Sequence, residues 1–296
     1  MAVLRIATRG SPLARWQAER VAGLVRAAEP SVETELVVVA TVGDRRQAVP
    51  IAEMGGKGVF AKEVQAAVLD GRADLAVHSA KDLPSETPEG LVIAAVPERG
   101  DPRDALVGST LDGLLAGGVV ATGSQRRRAQ LAAARPGLRV AELRGNMHTR
   151  LDKAAGFDAI VVAAVALDRL GLADRISERL GTGVMVPQAG QGCMAVECRS
   201  GDAPVRDLLA AVDHHASHRC LDAERAFLAE LGGDCTIPAG ALATVRAGAV
   251  DVDGLLASAD GATVLRHRAG GADAAATGRA VARHLLDTGG AELLGR

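Results

Sequence analysis

The chain has 296 residues, enough for two or three domains with hydrophobic cores that need no disulfide support. Its 34 Lys and Arg residues against 36 Asp and Glu residues give a net charge of −2, which excludes a generally basic nucleic-acid-binding protein. Aromatic residues make up only 1% of the chain, too few for base-stacking platforms. Any anion site must therefore be built locally.

The cysteines and the hydropathy of the chain bear on its compartment. The N-terminal apolar stretch at residues 3–8 is short and has no signal-peptide cleavage site, and no stretch reaches membrane-spanning length. We therefore expect a cytoplasmic monomer with no membrane or nucleic-acid partner. The cysteines fit neither a zinc ribbon nor a secreted disulfide scaffold; they are Cys193, Cys198, Cys220 and Cys235.

Strand-like apolar runs alternate with helical patterns over the first two-thirds of the chain, which predicts an α/β architecture. Ser11 and Pro12 cap and begin a helix that we expect to end at Ala28. Phe60 and Val64 begin a helical pattern that ends at Gly71. The strands predicted in this part are residues 3–8, 35–42, 73–79 and 91–96.

A predicted linker at residues 100–102 separates this set from a second α/β set. The second set contains predicted strands 118–122, 138–144 and 158–167 and predicted helices 125–134 and 149–155. Residues 213–231 are predicted to be mainly helical. The short strands 242–250, 252–257 and 263–267 and a last helix, 274–286, indicate a small α+β domain.

Three predicted strand-to-helix junctions combine hydroxyl or amide groups with guanidinium groups. In open α/β sheets ligands bind at this edge, and both helix N-termini and Arg side chains bind carboxylates or phosphates. The pattern therefore predicts a ligand with several anionic groups, although a solvated cationic face also explains residues 126–128. The junctions are Thr8-Arg9-Gly10-Ser11, Thr122-Gly123-Ser124-Gln125-Arg126-Arg127, and Arg144-Gly145-Asn146 continuing to Thr149-Arg150.

A fourth strand end carries a carboxylate, in the sequence His78-Ser79-Ala80-Lys81-Asp82-Leu83-Pro84. Asp82 is a candidate acid or base, and a carboxylate among cations suits the stabilisation of a cationic substrate. The alternative is a residue that caps the turn before Pro84.

Three further patterns carry weaker or more specific signals. The Gly-rich residues 54–58 lack the Ser or Thr of a P-loop and are interpreted as a lid with one cation. The histidines at 214, 215 and 218 lack a convincing third ligand, so no metal site is predicted. The sequence Gly232-Gly233-Asp234-Cys235-Thr236-Ile237-Pro238 predicts a tight turn with a thiol that can carry a bound group, the alternative being a buried packing residue.

In combination these motifs resemble the porphobilinogen deaminase family, whose members are also called hydroxymethylbilane synthases, from about Arg5 to Ala239. The resemblance implies two doubly wound lobes, similar to those of bacterial solute-binding proteins, with an active cleft between them and a small α+β domain. The implied domains are 1–98 with 193–213, 99–192, and 214–296. The motifs are Thr8-Arg9-Gly10-Ser11-Pro12-Leu13-Ala14, Gly55-Gly56-Lys57-Gly58-Val59-Phe60, His78-Ser79-Ala80-Lys81-Asp82, Arg144-Gly145-Asn146 with Thr149-Arg150-Leu151, Gly190-Gln191-Gly192 and the Cys235 turn.

The resemblance also implies an activity. Similar enzymes are transferases of tetrapyrrole and haem biosynthesis that join four porphobilinogen molecules head to tail, release ammonia at each step and hydrolyse off the linear product. The chain grows on a dipyrromethane cofactor, made from the substrate and held by a thioether, by position on Cys235. Each pyrrole bears an acetate and a propionate, and a carboxylate can stabilise the electron-poor azafulvene or pyrrolium species that each condensation passes through.

By position, Asp82 takes the catalytic role, and Lys57 and Phe60 fall on the lid. The residues implied to hold the cofactor are Ser79, Lys81, Thr122, Ser124, Arg126, Arg127 and Arg150. The residues implied to bind the substrate or the growing chain are Arg9, Ser11, Gln17, Arg144, Asn146, Arg169 and Gln191.

Three positions depart from the family pattern. Asp234 replaces a Gly before the attachment cysteine, and we expect its charge to lower the thiolate fraction and slow cofactor loading. Gly123 replaces a Ser and removes a hydroxyl donor, and Ala195 replaces a Gly.

Two other function classes remain open on the residues alone. A non-catalytic two-lobe protein that clamps a polycarboxylate would explain the arginines, but it gives Cys235 and Asp82 no use and would normally be exported. A nucleic-acid or phosphate-binding regulator would use residues 126–128, but the chain has no helix-turn-helix, zinc or RNP signature.

Overall fold

The computed structural model describes residues 3–41, 58–233 and 237–296. The chain forms two compact units, Met1–Gly100 with Cys193–Leu221, and Asp101–Gly192 with Asp222–Arg296. Each unit is therefore assembled from two separate stretches of the chain. The predictions for Lys57 and Cys235 lie outside the described residues, and the division into three domains stays a prediction.

The strands and helices are as follows. The strands are β1 Leu4–Arg9, β2 Thr34–Val39, β3 Leu75–Ser79, β4 Leu91–Ala95, β5 Asp104–Val107, β6 Val119–Ala121, β7 Arg139–Ala141, β8 Ala159–Ala163, β9 Glu178–Arg179, β10 Met194–Arg199, β11 Ala239–Arg246, β12 Ala249–Ala257 and β13 Val264–Gly271. The α-helices are Pro12–Ala28, Lys62–Leu69, Gln125–Ala134, Met147–Lys153, Ala164–Arg169, Ala203–Ala210, His215–Glu230, Ala274–Leu285 and Ala291–Leu293.

The first unit is built on a five-stranded mixed sheet in the order β2-β1-β3-β10-β4. Strand β1 runs parallel to β2 and β3, whereas β10 is antiparallel to β3 and β4. Ile6, Leu75 and Val196 lie in its buried core with the inner face of the helix Pro12–Ala28. Because β1 and β3 are parallel neighbours, their carboxyl ends meet at one edge of the sheet.

The second unit contains a five-stranded sheet in the order β7-β6-β8-β5-β9. The predicted strand over residues 158–167 is wrong in its second half, since β8 ends at Ala163 and the helix Ala164–Arg169 follows. The run is apolar and buried from Ala159 to Leu167, and such a run does not distinguish a buried strand from a buried helix. Strand β5, residues 104–107, was not predicted, because its apolar part, residues 105–107, is too short to show a strand period.

The second unit also carries a three-stranded antiparallel sheet in the order β11-β12-β13. The helix Ala274–Leu285 packs on this sheet with Phe227. Gly254 on β12 makes room for this packing, because a Cβ atom there would lie 2.6 Å from both Phe227 Cε2 and Val281 Cγ1. The predicted fold class, two α/β lobes with a small α+β portion, is confirmed.

Local capping also follows the sequence. The Ser11 side chain accepts a hydrogen bond from the Ala14 N–H at the start of the helix Pro12–Ala28. The Ser124 side chain accepts one from the Arg127 N–H, and that helix has the predicted bounds, Gln125–Ala134. Within the described ranges, each helix is too short or too polar to cross a membrane.

Candidate active site

A pocket in the first unit lies where β1 and β3 end. It contains all three predicted substrate ligands of this unit, Arg9, Ser11 and Gln17, together with Asp82. Its lining residues are Arg9, Ser11, Leu13, Ala14, Gln17, Phe60, Val77, His78, Ser79 and Asp82.

Side-chain contacts hold the predicted substrate ligands of this pocket in place. The guanidinium carbon of Arg9 lies 4.2 Å from the centroid of the Phe60 ring, a cation–π contact that fixes the cation above the pocket wall. Gln17 is buried, its Nε2 donates to Ser79 Oγ at 2.9 Å, and the hydroxyl can donate back to Gln17 Oε1 at 3.1 Å. Thr8 Oγ1 donates to the Ala14 carbonyl and secures the turn between β1 and the helix.

Asp82 ends a single 3₁₀ turn, Ala80–Asp82, that directly follows β3. The Ala80 N–H donates to the Cys193 carbonyl, and the Leu83 N–H closes the turn on the Ala80 carbonyl. Backbone hydrogen bonds therefore fix the position from which a partly exposed carboxylate enters the pocket. Lys81, the predicted cofactor ligand, lies on the same turn and is also partly exposed.

Arg126 and Arg127 occupy the first turn of the helix Gln125–Ala134, and their side chains are 3% and 7% exposed. Both contact one carboxylate, that of Asp104 on β5. Arg126 Nη1 donates to Asp104 Oδ2 at 2.8 Å, and Arg127 Nε donates to Oδ1 at 3.0 Å. The solvated interpretation therefore fits only Arg128, which pairs with the exposed Glu142 at 3.0 Å.

The charges in this buried cluster do not balance. Burial alone would raise the pKa of Asp104, but the charges of Arg126 and Arg127 outweigh it and hold that pKa well below its ordinary value. Burial also lowers the pKa of Arg126, which the Asp104 charge opposes. Two guanidinium groups thus share one carboxylate. In addition, Arg126 Nε and Nη2 are buried without a hydrogen-bond partner among the described residues.

A second pocket surrounds Arg126 in the second unit and reaches both the Ser124 cap and the residues that follow the predicted cysteine turn. Buried donors without partners are rare, and guanidinium N–H groups are suited to binding a carboxylate. The lining residues are Ser124, Arg126, Gln188, Ala189, Phe227, Leu228, Ile237, Ala239 and Gly240.

The residues on either side of 234–236 pack against each other. Gly232 has a φ of +61° and the Gly233 N–H donates to the Leu228 carbonyl, which ends the preceding helix in the way that favours glycine. A Cβ atom on Gly233 would collide with Ile237, whose Cγ1 would lie at 2.9 Å. The positions 232 and 233 therefore require glycine where the helix His215–Glu230 ends, and the predicted turn at Cys235 lies outside the described residues.

The other predicted site residues have local contacts. Thr122 is buried and its hydroxyl accepts from the Ser124 N–H. Asn146 caps the helix Met147–Lys153, and Arg150 Nε donates to the Gly145 carbonyl at 2.8 Å. Arg144 Nε lies 3.5 Å from Glu142 Oε2.

Two of the predicted substrate ligands lie near the last residues of the segment Asp101–Gly192. Arg169 Nη2 donates to the Gly192 carbonyl at 2.7 Å. Gln191 is fully buried, and its Nε2 donates to the Pro102 carbonyl and to Asp104 Oδ1. Gln191 is therefore in contact with the arginine cluster through Asp104.

Sequence reasoning missed the buried carboxylates. Asp104 is fully buried at the start of β5, and its position directly before the apolar residues 105–107 is the signal that could have indicated it. Glu224 is also fully buried and accepts from the Gly190 and Ala243 N–H groups. Glu197 lies 3.2 Å from His78 Nε2 beneath the first pocket.

The histidine-rich segment has hydrogen-bonding partners of its own. His218 Nδ1 lies 2.8 Å from Asp213 Oδ1, and His214 Nδ1 lies 2.8 Å from Ser217 Oγ. Across residues 3–41, 58–233 and 237–296, no group of three or more His, Cys, Asp or Glu side chains is arranged to hold a metal ion.

Comparison with known proteins gives two family matches. Residues 4–207 match the model described as "Porphobilinogen deaminase, dipyromethane cofactor binding domain", and residues 218–287 match "Porphobilinogen deaminase, C-terminal domain". A curated relative, the porphobilinogen deaminase of Chromobacterium violaceum, is 47% identical over 98% of this chain and 96% of its own length.

Solved structures with distant similarity include two periplasmic solute-binding proteins of the TRAP type. One is from Ralstonia eutropha, with a TM-score of 0.41 and 16% identity over 76% of this chain and 80% of its own. The other is from Pseudomonas putida, with a TM-score of 0.39 and 11% identity over 76% and 82%. At these scores the similarity carries no argument about function.

Proposed function

The chain belongs to the porphobilinogen deaminase family, and from this we propose that it is a hydroxymethylbilane synthase. It condenses porphobilinogen molecules head to tail with loss of ammonia and then releases the linear tetrapyrrole by hydrolysis. It is a transferase of tetrapyrrole and haem biosynthesis, and its cofactor is a dipyrromethane. The observation that carries the assignment of the cofactor site is the buried Arg126 side chain, which has two donors without a partner among the described residues and lines a pocket together with Ile237.

The residues of the second pocket fit a dipyrromethane on Cys235. The pocket is lined by Ile237, two residues after the attachment position, and by Arg126, whose free donors suit a carboxylate. Ser124 lines the same pocket, and Arg127 adds positive charge to it. When bound, the dipyrromethane supplies the pyrrole carbon onto which the product chain is built.

The first pocket binds the substrate. Arg9, held over the Phe60 ring, and Ser11 bind carboxylates of porphobilinogen, while the Gln17 and Ser79 side chains hold each other in place. The Asp82 carboxylate stabilises the positive charge that develops on the substrate as ammonia leaves, and it can pass on the proton that the pyrrole carbon loses.

The remaining cationic and amide residues serve a product that gains two carboxylates with each unit added. In this proposal Lys81, Thr122 and Arg150 assist in holding the cofactor. Arg144, Asn146, Arg169 and Gln191 assist in binding the growing chain. Lys57 and Phe60 belong to a lid.

We also assign the reaction to the cytoplasm and the active form to a monomer that needs no nucleic acid or membrane. Cys193, Cys198 and Cys220 are buried and form no disulfide among the described residues, which agrees with a reducing compartment. The substrate is the one partner that the proposed reaction needs.

The decisive experiment compares the denatured intact mass of the purified protein with that of Cys235→Ser. We expect an excess equal to two linked pyrrole units in the first protein and none in the variant. The excess should be accompanied by release of one ammonia per porphobilinogen consumed. An unmodified mass after expression in a host that supplies porphobilinogen would contradict the assignment and favour a polycarboxylate-binding protein, with Asp234 as the first residue to revert.

A further inference from the structure

We infer that Asp104 is a positioning residue for the cofactor site: it orients Arg126 and Arg127 from within the protein and sets the charge that this site presents. The inference rests on the proposed function, since the arginines are oriented towards the dipyrromethane cofactor. Asp104 is fully buried and does not line either pocket described above. It therefore acts through the arginines and has no contact with the ligand.

Three donors converge on this one carboxylate. Oδ2 accepts from Arg126 Nη1 at 2.8 Å, while Oδ1 accepts from Arg127 Nε at 3.0 Å and from Gln191 Nε2 at 2.9 Å. The Val186 carbonyl accepts from the same Nη1 of Arg126 at 2.7 Å. With Nη1 fixed between two acceptors, the guanidinium plane is held in one orientation, and Nε and Nη2 remain for a ligand.

The charge count supports the same conclusion. Two buried guanidinium groups and one carboxylate leave a net charge of +1, which one ligand carboxylate neutralises. With Asn at this position, two buried cations would lack any internal counter-charge, and the second acceptor oxygen would be replaced by a donor. The arginines would then turn towards other acceptors, and the donors would no longer be held ready for the cofactor.

A purely structural role is the alternative, and Glu224 provides the matched control. It is likewise fully buried in the same unit, and its two oxygens accept from the Gly190 and Ala243 N–H groups. Neither of these two hydrogen bonds involves Arg126 or Arg127. Glu224→Gln therefore removes a buried carboxylate of comparable structural importance while leaving the arginine cluster intact.

The test measures cofactor loading of apoprotein. Wild type, Asp104→Asn and Glu224→Gln are incubated with a series of porphobilinogen concentrations, and the loaded fraction is read from denatured intact mass. All incubations are made at a temperature well below the thermal unfolding midpoint of the least stable variant. We expect the half-loading concentration to rise roughly ten- to hundredfold for Asp104→Asn, the range for loss of a charge-assisted hydrogen bond, and to stay within about threefold of wild type for Glu224→Gln.

The outcomes separate the two proposals. If wild type gains no mass, the proposed function fails. The inference is overturned if wild type loads and Asp104→Asn has the same half-loading concentration as wild type. It is also overturned if Asp104→Asn and Glu224→Gln raise the half-loading concentration equally, because Asp104 then has only a structural role. If Asp104→Asn does not fold, Gln191→Met provides the second test, because it removes one donor to Asp104 Oδ1. A smaller rise in half-loading concentration is then expected, and an unchanged value overturns the inference.

Discussion

Arg126 and Arg127 are neighbours on one helix and share one carboxylate, yet their free donors differ. All three guanidinium nitrogens of Arg127 are in contact with the protein: Nε and Nη2 with Asp104 Oδ1 at 3.0 and 2.8 Å, and Nη1 with the Val161 carbonyl at 3.0 Å. Arg126 uses Nη1 alone, and its Nε and Nη2 have no partner within the described chain. Replacing each by Lys keeps the charge but leaves a single ammonium group.

Arg127→Lys should therefore lower stability more, and Arg126→Lys should impair loading more. The ammonium of Arg127→Lys can replace one of three contacts, so we expect a loss of roughly 2–4 kcal/mol in the free energy of unfolding. Arg126→Lys loses about one protein contact, roughly 1.5–3 kcal/mol, together with two donors for the ligand. Its half-loading concentration for porphobilinogen should rise at least about tenfold, against less than about threefold for Arg127→Lys.

Urea unfolding of the two apoproteins measures the free energy of unfolding. Intact-mass titration with porphobilinogen measures the half-loading concentration. Because both variants remove a guanidinium from the same buried cluster, each serves as the control for the other. Equal loading defects in the two variants, or a defect confined to Arg127→Lys, would refute the argument from unpartnered donors.

Four further outcomes are expected. Asp82→Asn should lower the rate of hydroxymethylbilane formation per cofactor-loaded molecule about a hundredfold or more, with Asp82→Glu less affected, and a wild-type rate would remove Asp82 from the mechanism. Gly254→Ala should lose about 1–3 kcal/mol in urea unfolding, because its Cβ would lie 2.6 Å from two core side chains, while Gly183→Ala, with nothing within 4 Å, should be near neutral. Since the pKa of Asp104 is lowered in the folded state, its stabilisation is present above the unfolded pKa of about 3.9 and is lost as pH falls towards the folded value. Wild type should therefore lose unfolding free energy below about pH 5 more steeply than Asp104→Asn, and parallel curves would contradict this. Burial raises the pKa of the Cys198 thiol to about 11, so native protein should resist iodoacetamide at this residue at pH 8 and react there only after unfolding, as peptide mass mapping would report.

Local patterns predicted much of the fold. The helix Pro12–Ala28 follows from the Ser11 cap and Pro12, and the helix Gln125–Ala134 has its predicted bounds, because helix ends depend on residues close in sequence. The run at residues 158–167 was misassigned after Ala163, since its apolar character is the same in a buried strand and a buried helix. The antiparallel placement of β10 between β3 and β4 depends on a distant part of the chain and has no local signature.

At the candidate site, the sequence indicated which residues carry chemistry and the structure indicated how they are supported. Arg126 and Arg127 were predicted from the junction pattern, but their burial and their shared carboxylate were not. The sequence separation between Asp104 and Gln191 is large, and the tertiary structure of the second unit brings them together.

The chain alone therefore determined the secondary-structure alternation and the caps of the helices Pro12–Ala28 and Gln125–Ala134, since each depends on neighbouring residues. The tertiary structure decided which of the two guanidinium groups has N–H donors without an acceptor among the described residues. Arg126 and Arg127 are the same amino acid and are adjacent in sequence. They differ because packing gives acceptors to all three guanidinium nitrogens of Arg127 and to one guanidinium nitrogen of Arg126.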